Sequence, residues 1–212
     1  MAKALGQNRY EGDFGMPMLP GESLRYESGD YVRIATLELC ARELNGVPGA
    51  AAELGVYRGS FARQIQTALP DRTLYLFDTF SGFAQEDLAA GRSYGLREAE
   101  HDWSGTSVSQ VLDALPRPDR AVVRAGRFPE TARGLEAERF CLVSLDADLY
   151  LPTLAGLRWF WPRLSPGGYL LVHDYNNREY PGAAKAVREF GAEAGLSYTP
   201  LPDICGSVIF TK

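Results

Sequence analysis

The sequence predicts an α/β fold: a doubly wound, mostly parallel seven-stranded sheet that ends in a C-terminal antiparallel hairpin. Three observations carry the prediction. Short apolar runs alternate with stretches of helical periodicity, and most of the runs are apolar on both faces, as buried parallel strands require. The last two runs are joined by a connection too short for a crossover helix. With 212 residues, 45% hydrophobic and 23% charged, the chain is long enough to bury one sizeable core.

A leading helix is predicted over 30–44, where Ile34, Leu37, Ala41 and Leu44 recur at helical spacing before the Asn45-Gly46 stop. Strands are predicted over 49–56, 74–80, 121–125, 141–146 and 169–173, with helices over 60–69, 107–115, 129–135, 150–164 and 182–194 between and after them. In the last helix Ala183, Val187 and Phe190 share one face. Runs over 196–201 and 207–211 flank Pro202-Asp203-Ile204-Cys205-Gly206 and read as the hairpin. Residues 1–29 lack a period and read as an arm suited to closing over a site or contacting a second copy of the chain; 30–212 form a single domain. The polar stretch 84–106 is long for a structureless loop and reads as a lid, with His101 and Trp103 placed to meet a ligand.

Lys and Arg number 22 against 27 Asp and Glu, a net charge of −5, so the broad positive field of a nucleic-acid binder is not expected. No run approaches the length of a membrane span, and the first residues lack the apolar core of a secretory signal, so a cytoplasmic protein is expected. Cys40, Cys141 and Cys205 are an odd, widely spaced set and read as buried reduced thiols.

Ligands of open α/β sheets bind beyond the carboxyl ends of the strands. The first strand delivers Glu53-Leu54-Gly55-Val56-Tyr57-Arg58-Gly59-Ser60, an acid and two glycines, and the second delivers Asp78, placed to accept hydrogen bonds from both hydroxyls of a ribose. The three-glycine dinucleotide pattern is not met, and with Glu53 ahead of Gly55 the loop reads as an S-adenosylmethionine loop. The predicted cofactor contacts are Glu53, Gly55, Tyr57, Gly59 and Ser60; Asp78, Thr79, Ser81, Gly82 and Phe83; Gly126 and Phe128; and Asp146.

The fourth and fifth strands deliver Asp146, Asp148, His173 and Asp174 to the same edge. Acids so gathered repel one another unless a cation is near, and both a sulfonium and a divalent metal are such cations. Asp148 reads equally as a site residue or as the cap of the helix that follows. Asn176 and Asn177 read as turn residues or, for Asn176, as an amide ligand. The small-molecule acceptor is not identified by these residues, and methylation at N or C, a cofactor-binding protein without chemistry, and an NAD-dependent oxidoreductase are the rival readings.

Five motifs in order resemble the macrocin O-methyltransferase family: Glu53 to Gly59, Phe77 to Phe83, Leu145 to Tyr150, Leu164 to Gly168, and Asp174-Tyr175, with Pro181 to Val187 after them. The element order likewise resembles class I methyltransferases. The resemblance implies S-adenosylmethionine-dependent O-methylation of a small-molecule hydroxyl, on a sugar or other natural-product moiety, with a divalent metal, Mg²⁺ first. By the same likeness Asp146 is a metal ligand and candidate base, Asp174 a metal ligand and Asp78 the ribose ligand. One departure is His173, where several members carry a second acid: it reads as a ligand for a softer ion, as a general base beside an oxygen-bound Mg²⁺, or as the mark of a metal-independent variant.

Overall fold

The computed structural model describes residues 30–97, 99 and 101–212. The expected arm over 1–29 lies outside the described residues. In chain order the elements are α1 (Tyr31–Glu43), β1 (Ala50–Leu54), α2 (Ser60–Ala68), β2 (Leu74–Asp78), α3 (Gln85–Ser93), α4 (Val108–Ala114), β3 (Ala121–Ala125), β4 (Phe140–Leu145), α5 (Tyr150–Phe160), β5 (Leu164–Val172), α6 (Pro181–Ala194), β6 (Thr199–Leu201) and β7 (Ser207–Thr211).

The strands form one seven-stranded sheet in the order β3-β2-β1-β4-β5-β7-β6. β1 to β5 run parallel, while β7 pairs antiparallel with both β5 and β6. The predicted hairpin is therefore β6–β7, with β7 inserted beside β5. The chain reverses its winding between β1 and β4, which opens a crevice at their carboxyl ends. Register fixes what meets there: Leu54 lies opposite both Phe77 and Leu145, and Leu145 opposite Val172, so the residues that follow all four strands emerge level.

Side chains of β1 alternate between two cores, as a period of 2 demands. Ala50, Ala52 and Leu54 join Phe77, Phe140, Leu157 and Phe160 under α5 and α6, whereas Ala51 joins Leu37, Ile65 and Leu142 under α1 and α2. Gly156 lets α5 sit close to the sheet, since a Cβ there would stand 3.0 Å from the Leu54 side chain. Cys40 and Cys141 are buried and free; Cys205, also free, is only half-buried and differs from the expected buried thiol. No helix among the described residues is long and apolar enough to cross a membrane.

Three elements differ from expectation. The helix expected over 129–135 is a single 3₁₀ turn, Glu130–Ala132. β5 begins at Leu164 rather than 169, because Phe140 pairs with Leu164 and Leu142 with Tyr169, so residues 165–168 loop out inside a continuous strand. Within 84–106 the chain forms α3, whose Glu86 and Asp87 in the first turn and Arg92 in the last suit the helix dipole even though its polar sequence shows no clear apolar stripe.

Candidate active site

The loop after β1 is shaped by backbone crowding. Gly55 has φ +87°, and a Cβ on it would fall 1.9 Å from the carbonyl oxygen of Asp146. Glycine is therefore required here by the neighbouring strand end. Gly59, φ +79°, starts α2 and would bring a Cβ to 3.2 Å from Val111 of α4; it does not line the cavity, whereas Ser60 does.

Asp78 pins this loop. Its Oδ2 accepts the N–H groups of Val56 at 2.7 Å and Tyr57 at 2.8 Å, and its Oδ1 accepts that of Phe80 at 2.7 Å. A carboxylate offers about four acceptor positions, so these three leave room for about one ribose hydroxyl rather than two. Thr79 donates to the carbonyl of Gly82 at 2.6 Å, and Gly126 donates to the carbonyl of Asp78 at 2.8 Å. Thr79, Gly82, Phe83, Gly126 and Phe128 line the cavity; Ser81 is exposed and does not.

Beyond β4 and β5 stand Asp146, Asp148, His173 and Asp174. His173 Nδ1 lies 3.1 Å from Asp146 Oδ1 and 3.2 Å from Asp174 Oδ2, yet meets neither in hydrogen-bond alignment. The other ring nitrogen, Nε2, is 3.0 Å from the carbonyl oxygen of Ile204. A carbonyl only accepts, so Nε2 carries a hydrogen. In the neutral ring Nδ1 would then aim a bare lone pair at two carboxylates, which is tolerable only when Nδ1 is protonated or shares a cation with them. Burial opposes the charged ring, but Asp146 and Asp174 outweigh it and raise His173 to about 11.

Arg33, on α1 and nearly buried, was not anticipated from sequence. Its Nη2 lies 2.9 Å from Asp146 Oδ2, and its guanidinium stacks on Phe61 with 3.8 Å to the ring centroid. Burial works against ionisation of Asp146, yet His173 and Arg33 overcome it and hold that carboxyl well below its ordinary range. Asp148 behaves oppositely: burial, then the charges of Asp146 and Asp174, push it well above 3.8. It is not a helix cap, since Leu149 holds that position, and it faces the cavity at φ +58°. Asp174, at φ +61°, accepts from Asn177 Nδ2 at 2.8 Å. Left-handed non-glycine residues clustered at a ligand edge are typical of functional sites. Asn177 lines the cavity and Asn176 does not; the N–H of Asn176 is spent on the carbonyl of Cys205 at 2.9 Å.

A divalent cation fits this cluster. One ligand atom each from Asp146, His173 and Asp174 lies within 4.8 Å of the others, and the orphaned Nδ1 is one of the three. The nitrogen makes the donor set softer than an all-oxygen Mg²⁺ site.

The remaining wall comes from 101–106 and α3. Thr106 donates to the carbonyl of Tyr57, and Arg58 Nε to that of Gly105 at 2.9 Å. At the other end His101 meets Glu179 at 3.0 Å, Trp103 Nε1 donates to Tyr180 Oη at 3.2 Å, and Ala99 donates to the carbonyl of Glu179 at 2.9 Å. The segment thus straps the cofactor loop to the loop before α6, across a cavity of about 670 Å³. Arg127 anchors α3 through Asp87 at 2.6 Å and also holds Glu130 at 2.6 Å.

The family model described as Macrocin-O-methyltransferase (TylF) matches residues 27–212. The chain belongs to this family. It is 30% identical over 194 residues to the 8-demethyl-8-(2,3-dimethoxy-alpha-L-rhamnosyl)-tetracenomycin-C 4'-O-methyltransferase of Streptomyces olivaceus, covering 85% of this chain and 72% of that one. It is also 30% identical over 201 residues to the Mycinamicin III 3''-O-methyltransferase of Micromonospora griseorubida, covering 83% and 78% respectively. Among solved structures, the O-methyltransferase NovP superposes with a TM-score of 0.65 at 25% identity, over 85% of this chain and 79% of that one. As a macrocin O-methyltransferase family member the chain is an S-adenosylmethionine-dependent methyltransferase, and the rival readings as an oxidoreductase or a cofactor binder without chemistry are set aside.

Proposed function

We propose that this methyltransferase acts on a sugar hydroxyl of an uncharged glycoside, as a tailoring step on a natural product, with Asp148 receiving the hydroxyl proton. The observation that carries the reading is the pairing, in one cavity, of a backbone-pinned loop after β1 with the Asp146, Asp148, His173 and Asp174 cluster opposite it. The names of the two relatives describe methylation of sugar hydroxyls on glycosides.

The donor, S-adenosylmethionine, supplies a methyl group already activated on a sulfonium. What the chain must do is align acceptor oxygen, carbon and sulfur, and exclude water. The 101–106 strap and the aromatic wall of Phe83, Trp103 and Tyr180 perform the exclusion, and the same rings suit the apolar face of a pyranose. The acceptor O–H proton passes to a carboxylate as the O–CH₃ bond forms, the C–S bond breaks and its electron pair goes to sulfur. Asp146 is a poor acceptor because two cations hold it ionised, and His173 is already occupied on Nε2. Asp148 has the raised proton affinity and the cavity position that the role requires, worth about 10²–10⁴ in rate. Asp146, His173 and Asp174 would hold a divalent cation, which when bound lowers the pKa of a coordinated hydroxyl.

Arg33 and Arg127, both facing the cavity, are already paired with carboxylates, and Asp102 and Glu179 add negative charge to its wall. That balance disfavours a diphosphate-linked sugar and suits a neutral glycoside. Incubation with S-adenosylmethionine carrying an isotopically labelled methyl group and a panel of neutral rhamnosides and macrolide glycosides, followed by NMR, tests the reading. Label on a sugar oxygen is the expected outcome; label on nitrogen or carbon overturns it.

A further inference from the structure

Tyr180 ends the loop before α6 with a hydroxyl that is only half used. The residue is 3% exposed and lines the cavity with Phe83, Trp103 and Asp148. Its Oη meets Trp103 Nε1 at 3.2 Å. An indole N–H only donates, so Oη accepts there and the phenolic proton is left to donate elsewhere. No acceptor among the described residues takes it. Burial, with Asp148 and Asp174 nearby, pushes this phenol up to about 12, so the proton stays in place. Buried tyrosine hydroxyls find a partner as a rule, and one without it at a cavity wall is completed by what the cavity holds.

The direction of the hydroxyl is also fixed. Tyr180 is the N-cap residue of α6, and its ring meets Phe83 edge-on at 5.9 Å between centroids and His101 at 6.1 Å. It shares a buried cluster with Leu88 and Leu149, and Leu149 follows Asp148, the carboxyl proposed to receive the acceptor proton.

We infer that Tyr180 is a specificity-determining residue for the acceptor: its Oη–H donates to an oxygen on the carbon next to the methylated hydroxyl, so sugars oxygenated there are selected over their deoxy counterparts. Sugars carry oxygens on adjacent carbons, so an acceptor whose target hydroxyl reaches Asp148 brings the neighbouring oxygen toward Tyr180. The carboxylates of Asp102 and Glu179 on the same wall accept and therefore read hydroxyl protons, whereas Tyr180 reads an oxygen lone pair. A deoxy sugar leaves the buried phenolic proton unpaired, and a site built to bond a substrate oxygen penalises the analogue that lacks it. The inference rests on the sugar-hydroxyl reading above.

Steady-state methyl transfer to two matched rhamnosides, one with a hydroxyl on the carbon beside the methylated position and one with hydrogen there, tests it. The unaltered protein should show a kcat/KM at least about fivefold higher for the hydroxylated sugar. Tyr180→Phe, which keeps the ring, should narrow that preference below about twofold, while Trp103→Phe, which removes the N–H that Tyr180 accepts but leaves the phenol, should keep it. Equal use of the two sugars by the unaltered protein overturns the inference, as does an undiminished preference in Tyr180→Phe. Loss of the preference in Trp103→Phe as well would assign it to the strap and overturn it too. Should Tyr180→Phe not fold, the unaltered protein gives the second test with a third rhamnoside carrying a methoxy group at that carbon, which accepts but cannot donate. Its kcat/KM should lie within about threefold of the hydroxylated sugar's, and a value matching the deoxy sugar's overturns the inference. No methyl transfer to any of the three sugars would instead overturn the sugar-hydroxyl reading itself.

Discussion

His173 Nδ1 stands 3.1 Å from Asp146 Oδ1 while Arg33 holds the opposite oxygen of that same carboxylate at 2.9 Å. Asp146 is thereby gripped from both sides, by α1 and by the end of β5. Its orientation is fixed before any ligand arrives, and the contact with Asp174 places a third ligand atom beside it.

Cation binding at this cluster should displace the proton on His173 Nδ1. Calorimetric titration of Mn²⁺ or Mg²⁺ into chelator-treated protein, in two buffers of different ionisation enthalpy, should register proton release at pH 7. Asp174→Asn should weaken cation binding by at least about 10-fold and leave S-adenosylhomocysteine affinity within about threefold. Identical heats in both buffers would show that His173 is not protonated in the free site.

The same histidine gives the metal-free protein an alkaline instability. His173 rises from 6.5 to about 11 on folding, so between those values the folded chain binds more protons than the unfolded one. Its contribution is complete below pH 6.5 and is lost as pH climbs through 11. Thermal melts of chelator-treated protein should fall in midpoint across that window, and His173→Gln should flatten the decline.

Gly55→Ala should be among the most damaging single changes available, because φ +87° and a Cβ 1.9 Å from a backbone carbonyl leave no side chain to give way. A loss of about 3 kcal/mol or more is expected in denaturant melts. Gly95→Ala is the control: its φ of +75° is equally left-handed but its surroundings are open, so about 1 kcal/mol is expected.

Trp103→Ala should raise the KM for the acceptor by about 10-fold or more and also weaken S-adenosylhomocysteine binding, because Trp103 bridges the cavity: it donates to Tyr180 Oη and its ring packs edge-on against Tyr57 of the Asp78-pinned loop, 5.0 Å between centroids. Trp103→Phe should recover much of the loss. A steady-state comparison of the two variants checks this.

The sheet was legible because buried parallel strands leave long apolar signatures, and the strand-end acids followed from topology. The rest depended on contacts that no local pattern encodes. Arg33 sits in a helix whose apolar period conceals it, 113 residues from Asp146. Asp148 reads equally as a site residue or a cap in sequence, and only the observed N-cap, Leu149, removes the second option. α3 was missed because its stabilising features are end charges and the Asp87–Arg127 pair rather than an apolar stripe. Gly55 and Gly59 stand out in the sequence, and the space a side chain would need there is taken by Asp146 and Val111.

Single-turnover methyl transfer by Asp148→Asn, on the acceptor found by labelled-product analysis, tests the account most directly. The assignment predicts a rate about 10²–10⁴ below that of the unaltered protein, with S-adenosylhomocysteine affinity and folding intact. Methyl transfer at the unaltered rate would contradict it.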